Sequence, residues 1–343
     1  MANHTERDIH YDHYYTCDPD KVAEQLGNES LIDVLSRMML IRHFEKRGEA
    51  AYQQGKIGGF YHSYTGQEAI ATAAVEAMGM DNWWVTTYRC HALALLLGVS
   101  PDEIMAELYG RATGNARGRG GSMHLYSDRL LGGFGIVGGQ IPVAVGAAFT
   151  LHYLDIKEEV AICFLGDGAL AQGAFHEAVN LASLWDLPCI FVIENNIWGM
   201  GTAVERAISV PRLAEDKAPG YNIKGYTFDG TDFLSCYAGF RQLYQEVLEN
   251  RRPVLVECIA ERFRGHSISD PGLYRSKEEL EQAKGRDPIL LLREQLYQRG
   301  ILSEQQFKEI DAAQKERVLK AMDYADNSPW PDPATLEQDV FAP

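Results

Sequence analysis

Two short apolar runs, "VAICFL" at 160–165 and "PCIFVI" at 188–193, constrain this chain most. Neither alternates apolar with polar residues, as a strand with one wet face does. Continuous runs of this length belong to parallel strands covered on both faces. The segment 170–185 between them has helical spacing. The unit is therefore β-α-β, with a right-handed crossover. "PVLVECIA" at 253–260 is a third such strand, preceded by a helix around 233–250. The expected fold class is α/β, a parallel sheet with N- and C-terminal helical extensions.

Polar residues follow both runs at once. Asp167, between Gly166 and Gly168, follows the first; Glu194, Asn195 and Asn196 follow the second. Both groups lie at carboxyl ends of parallel strands, the edge where open α/β sheets bind ligands. The two glycines are expected to turn the backbone sharply and let it approach a ligand. A helix starting near Ala169 would aim free N–H groups at the same place, which suits a phosphate. One carboxylate, one amide oxygen and one backbone carbonyl make a hard site of low charge. Mg²⁺ fits such a set when a diphosphate supplies further oxygens, whereas Ca²⁺ needs more carboxylates. A lone G-D-G or Asn-Asn is usually a turn. On consecutive buried strands the two read together as a metal clamp for a diphosphate.

The rest of the chain divides into a polar, irregular arm (1–28), an α/β domain (29–275) and a C-terminal helical extension (276–343). Leu31, Val34, Leu35 and Met38 recur at helix spacing from Ser30, and Ser30 with Asp33 resembles a capping box. Residues 55–65 form a Gly-rich aromatic loop, followed by an Ala-rich helix from Gln67 to Met78. "WWVTTYRCHA" is a short strand or loop, and Pro101 opens a helix at its first turn. Residues 110–140 are rich in glycine yet keep Met123, His124, Leu125, Phe134, Ile136 and Val137. An ordered, ligand-facing loop is expected there rather than a linker. "IPVAVGAAFTLHYL" is a helix with small residues on one side.

Bulk properties remove several alternatives. A formal charge of −16 argues against a nucleic-acid partner. No stretch of about 18 uncharged apolar residues exists to span a membrane. "MANHTERDIHYDHYY" lacks a leader's apolar core and a transit peptide's basic character, so the expected compartment is the cytoplasm. The six cysteines form no C-x-x-C pair, and Cys163, Cys189 and Cys258 fall in strand-like runs. They read as reduced, buried thiols. A nicotinamide-binding fold is disfavoured because the glycines at 118–121 follow no strand.

G-D-G followed, one helix and one strand later, by N-N resembles the thiamine diphosphate fingerprint. The resemblance extends through "GDGALAQGAFHEAVNLASLWDLPCIFVIENNIWGMGT", "GFYHSYTGQEA", "TTYRCHA", "GRGGSMHLY", "GGFGIVGGQIP" and "RFRGHSISDPGLYR". In register from about residue 30 to 325, the chain is similar to alpha subunits of the decarboxylating component of 2-oxo acid dehydrogenase complexes. That likeness implies a thiamine diphosphate-binding fold and a cofactor pair of thiamine diphosphate and Mg²⁺. It implies a beta subunit in an alpha2-beta2 heterotetramer and a lipoyl-bearing dihydrolipoyl acyltransferase as partners. The reaction implied is oxidative decarboxylation of a 2-oxo acid with acyl transfer to the lipoyl group. "GHSISDPGLYR" resembles the pyruvate-using members most closely; acetoin and branched-chain 2-oxo acids are the alternatives.

Carried over by position, Asp167, Asn196 and the backbone carbonyl of Trp198 become the Mg²⁺ ligands. Trp198 stands where the family often has Tyr, a change a carbonyl ligand tolerates. Gly168 and Ala169 offer backbone N–H groups to the diphosphate, and Tyr88 and Arg89 match the family's Tyr-Arg pair that contacts it. Gly135 and Val137 match positions whose backbone meets the aminopyrimidine ring, and Met200 packs near the cofactor or fills the core. His266 and His62 match active-site histidines beside the reacting carbon and the substrate. His91 and His124 read as structural, and Arg262 as a brace for the 262–270 loop. Ser267 matches a serine that kinases modify in mitochondrial relatives, with Ser269 beside it. The glutamate that activates the cofactor is expected from another polypeptide, because no second set of strands is present. A non-catalytic scaffold of the same fold would lack Asp167, Asn196 or His266; all three are present.

Overall fold

The computed structural model describes residues 14–338 and 340. Its strands are β1 (Trp83–Thr87), β2 (Leu130–Phe134), β3 (Ala161–Gly166), β4 (Cys189–Asn195), β5 (Trp198–Gly199), β6 (Thr202–Ala203), β7 (Lys224–Asp229) and β8 (Val254–Ile259). Helices α1 (Pro19–Leu26), α2 (Asn28–Gln53), α3 (Glu68–Met78), α4 (His91–Leu96), α5 (Pro101–Leu108) and α6 (Gln140–Tyr153) come first. They are followed by α7 (Gly173–Leu184), α8 (Val204–Ala207), α9 (Phe233–Asn250), α10 (Lys277–Lys284), α11 (Pro288–Gln298) and α12 (Glu304–Asn327).

Six strands form one sheet in the order β2-β1-β3-β4-β8-β7, and every neighbouring pair is parallel. β5 and β6 form a separate antiparallel hairpin. The two apolar runs are the adjacent central strands β3 and β4, in register from Ala161 opposite Cys189 to Gly166 opposite Glu194. All seven residues of β4 are buried. Ile162, Phe164, Ile190 and Val192 join a core with residues of α2, α3 and α9. Cys163, Leu165, Phe191 and Ile193 join a second core with residues of α6 and α7. Two covered faces explain why these strands are apolar at every position. Burying Phe164 and Phe191 completely contributes about 1.5–3 kcal/mol each.

Some local expectations change. Part of the N-terminal arm is ordered: Asp18 caps α1 by accepting from the Asp20 and Lys21 amides. Residues 1–13 lie outside the described residues. The next helix begins at Asn28, so Ser30 is inside it. The Ser30 hydroxyl donates to Glu76 Oε1 at 3.1 Å and caps nothing. A capping box does form at Ser100 and Glu103, ahead of Pro101. Neither β2, with its paired glycines, nor the edge strand β7 was expected. Among the described residues, no helix is long and apolar enough to cross a membrane.

The Gly-rich segment owes its shape to one carboxylate. Glu107, fully buried in α5, accepts from the Ala116 and Gly118 amides on one oxygen, at 2.8 Å each. Its other oxygen accepts from Gly120 at 2.6 Å and Gly121 at 3.1 Å. A side chain at Gly114 would strike Glu107 at 2.3 Å, and Gly118 has φ +77°. The glycines are therefore needed to fold the chain around its own acid. Replacing Glu107 by Leu leaves four half-buried N–H groups without their acceptor, at up to about 1–3 kcal/mol each. The expected loss of unfolding free energy in urea is at least about 3 kcal/mol, with faster amide exchange across residues 116–121. A loss below about 1 kcal/mol would contradict this role.

Candidate active site

The strand order reverses at β1: β2 lies on one side of it and β3 on the other. Open α/β sheets bind ligands outside the strand ends at such a reversal. A cleft of ≈ 230 Å³ lies there, lined after β1 by Tyr88 and Arg89 and after β2 by Phe134, Val137 and Gly138. Asp167, Gly168 and Ala169 line it after β3, Asn196, Trp198 and Met200 after β4, and Arg262 and His266 after β8. Of the residues that the sequence assigns to catalysis or cofactor binding, Gly135 and His62 are absent from the lining. Residues 110–133 are absent too, so the ligand-facing expectation for the Gly-rich segment holds only near Phe134, Val137 and Gly138. The glycines before them serve Glu107 instead.

The three oxygens assigned to a cation lie close together. Asn196 Oδ1 and the Trp198 carbonyl both accept from Arg262 Nη1, at 3.4 and 3.1 Å. The Asp167 carboxylate lies against the same hairpin: Oδ2 is 3.5 Å from where a Cβ on Gly199 would stand. The turn does not depend on Gly166 or Gly168, neither of which has positive φ. Ile197 (φ 61°) and Met200 (φ 55°) carry the left-handed conformations instead. Gly168 lies close to the hairpin, and a Cβ there would make an ordinary contact with Gly199 Cα at 3.8 Å. The N–H groups after Asp167 belong to a short 3₁₀ turn, and α7 starts only at Gly173.

Burial pushes the Asp167 carboxyl up to about 6, although Arg262 and Arg89 oppose it. Arg262 is itself 1% exposed, and burial with Arg89 nearby lowers it to about 10. Besides the two oxygens above, it donates to the Met200 carbonyl at 3.2 Å and the Tyr274 hydroxyl at 2.6 Å. Arg262 thus braces the hairpin as well as its own loop. Arg89 staples two loops, donating to the Ser63 carbonyl at 2.6 Å and the His266 carbonyl at 2.7 Å.

His62, Tyr88 and His266 form one aromatic cluster. His62 lies 4.3 Å from Tyr88 and 5.0 Å from His266 between ring centroids. Burial first, then Arg89, depresses the His266 imidazole to about 4 and His62 to about 2. Both rings are neutral at pH 7. Met200 is 63% exposed at the rim, so it does not fill the core. Ser267 is buried, with its hydroxyl 2.9 Å from that of Ser269. His91 lies between Glu45 (3.0 Å) and the Ser122 carbonyl (2.9 Å), a structural position. His124 lies 3.1 Å from the Gly120 carbonyl.

Sequence reasoning gave no role to Gln67, Gln140 or Tyr64. Gln67 Oε1 accepts from Asn196 Nδ2 at 3.0 Å. Gln140 donates to the Phe164 carbonyl at 3.0 Å, leaving its buried oxygen unpartnered. Tyr64 donates to Glu194. Burial raises the Glu194 carboxyl to about 7 against that bond and Arg89. The available signal was weak: a glutamine entering each of two helices rich in small residues.

A parallel sheet with acid, amides and arginines at its switch point defines a ligand-binding protein of the doubly wound α/β class. The chain belongs to the dehydrogenase E1 component family, whose sequence model matches residues 36–334. It is 42% identical to the pyruvate dehydrogenase E1 component subunit alpha of Rickettsia conorii, over 91% of this chain and 96% of that one. It is 39% identical to the subunit of that name from Porphyra purpurea, covering 92% of this chain and 94% of the relative. A chloroplastic subunit alpha-3 from Oryza sativa is 39% identical, over 92% and 76% respectively.

The histidines make a test of the site's electrostatics. An unfolded chain takes up these protons near about 6.5, whereas the folded chain leaves His266 neutral down to about 4. The unfolded state binds more protons in that window, so stability falls as pH drops through it. NMR of labelled histidine should find the His266 ring unchanged from pH 8 to about 5.5; ordinary titration near 6.5 would contradict the arrangement.

Proposed function

We propose that this chain is the alpha subunit of a pyruvate dehydrogenase E1 component. With a beta subunit, it carries out thiamine diphosphate-dependent oxidative decarboxylation of pyruvate and passes the acetyl unit to a lipoyl group of an acyltransferase. The observation that carries the reading is the gathering of the Asn196 and Trp198 oxygens on one Arg262 nitrogen beside Asp167.

The donor set fits Mg²⁺. The Asp167 carboxylate, the Asn196 amide oxygen and the Trp198 carbonyl would hold such a hard cation, and a diphosphate would supply further oxygens. Among the described residues no three acids, histidines or cysteines gather as a metal site. That suits a site completed by its ligand. A cation would also relieve the strain of a buried Asp167, and Arg262 would yield the two oxygens it holds. Arg89 and the amides of Gly168 and Ala169 face the same cleft and would take the diphosphate. Bound thiamine diphosphate supplies the nucleophilic carbon and electron sink that 2-oxo acid decarboxylation needs. The chain's own part is to grip that cofactor and exclude water. His62 and His266, both neutral, can donate hydrogen bonds to developing negative charge. Val137 and Met200 at the mouth are placed to meet the rest of the cofactor, with Gly135 two residues upstream of Val137.

A beta subunit completes this reading. Asp167 and Glu194 are the acids lining the cleft, and both are committed at strand ends. The glutamate that activates the cofactor therefore comes from the partner. Val143, Phe149, Tyr153, Leu181, Leu184 and Trp185 are exposed on α6 and α7, with Ile136 76% exposed at the cleft mouth. Such an apolar surface suits a protein partner. All six cysteines are unpaired and five are buried, which suits the reducing cytoplasm.

Asp167→Ala should abolish Mg²⁺-dependent thiamine diphosphate binding in calorimetry; unchanged affinity would refute the metal assignment. The purified chain should show no pyruvate decarboxylation until its beta subunit is added. Reconstituted enzyme should favour pyruvate over acetoin and a branched 2-oxo acid by at least about tenfold in kcat/KM, roughly 1.4 kcal/mol of discrimination. Turnover by the chain alone, or preference for another substrate, would overturn that part.

A further inference from the structure

An asparagine amide can turn either its oxygen or its nitrogen toward a cleft. Only the oxygen can bind a cation. What fixes the choice at Asn196 is a buried directional chain. Asn196 Nδ2 donates to Gln67 Oε1 at 3.0 Å. Gln67 is 1% exposed and Asn196 6%. On the other side, the Arg262 guanidinium, which can only donate, lies 3.4 Å from Asn196 Oδ1. The orientation is thus set from both ends.

Gln67 needs a reason for its own orientation. Gln67 and Glu194 line the same cleft, and the buried Gln67 side-chain nitrogen makes no hydrogen bond of its own. Glu194 is held by the Tyr64 hydroxyl. Gln67 presents its oxygen to Asn196. Tyr64 and Gln67 lie within one turn of each other, and the Gln67 backbone N–H donates to the Tyr64 carbonyl at 3.1 Å. The segment entering α3 thereby aims a residue that follows β4.

We infer that Gln67 is a positioning residue for the cation site, holding the Asn196 carbonyl oxygen toward the position the metal takes. The inference rests on the metal reading of Asp167 and Asn196. It adds a residue that acts through a metal ligand and is not one itself. Partners behind metal ligands typically govern about 10- to 100-fold in affinity.

The test uses the assembled alpha–beta enzyme with saturating thiamine diphosphate and Mn²⁺ as the probe, its affinity read by electron paramagnetic resonance. Gln67→Met keeps the side-chain length and removes the acceptor. It should weaken Mn²⁺ binding about 10- to 100-fold, with urea denaturation confirming a folded chain. A carboxylate offers oxygen in either orientation, so Asn196→Asp removes the need for aiming. In the Asn196→Asp background, Gln67→Met should change Mn²⁺ affinity by less than about threefold, a double-mutant coupling. Equal losses in both backgrounds, or no loss with Asn196 intact, would overturn the inference. Asp167→Ala separates the two claims. If it leaves Mn²⁺ affinity unchanged, the metal reading itself fails. If it abolishes binding while Gln67→Met does not weaken it, only the role of Gln67 fails.

Discussion

Everything at the site depends on β3 and β4 running parallel and in step. Gly166 pairs with Glu194 at the last rung, so the chain leaves both strands at the same height. Asp167 and Asn196 then emerge side by side without any special loop. The pairing is held by apolar burial on both faces, which leaves little freedom for slippage. Moving β4 by one residue would exchange the face of every side chain, taking Phe191 and Ile193 out of one core and into the other.

Charge completes the arrangement. Two acids, Asp167 and Glu194, sit with two buried arginines, Arg89 and Arg262. Both arginines spend their donors on backbone carbonyls of separate loops. They tie together segments far apart in the chain and set two cations beside the acids, which favours an anionic ligand. The same arginines, together with burial, keep His62 and His266 neutral. The electrostatics that favour a diphosphate therefore also set the form in which the histidines meet a substrate. The apolar face of α6 and α7 starts at the mouth of this cleft, so a partner docked there would close it.

The central strands and the Asp167 and Asn196 positions were legible because their signals are local. An unbroken apolar run followed at once by a polar residue marks a buried strand and its tip. β2 was not legible, since Gly132 and Gly133 interrupt its apolar pattern and its pairing comes from β1, distant in sequence. The fold of the Gly-rich segment depends on Glu107, an acid in the preceding helix that ordinary patterning places on a wet face. Arg262 was read as a loop brace, but its hold on Asn196 and Trp198 spans more than sixty residues of chain. Gln67 was legible only as the first residue of an Ala-rich helix. Its role needs the packing of α3 against the tip of β4, which no spacing encodes.

The most direct test is the position of the cation itself. Crystals of the alpha–beta enzyme grown with thiamine diphosphate and Mn²⁺ would locate it by anomalous scattering. The account predicts one peak about 2.1–2.2 Å from an Asp167 carboxylate oxygen, Asn196 Oδ1 and the Trp198 carbonyl, with Arg262 Nη1 withdrawn from both latter oxygens. A bound cofactor with no cation among these three oxygens, and Arg262 still occupying them, would contradict it.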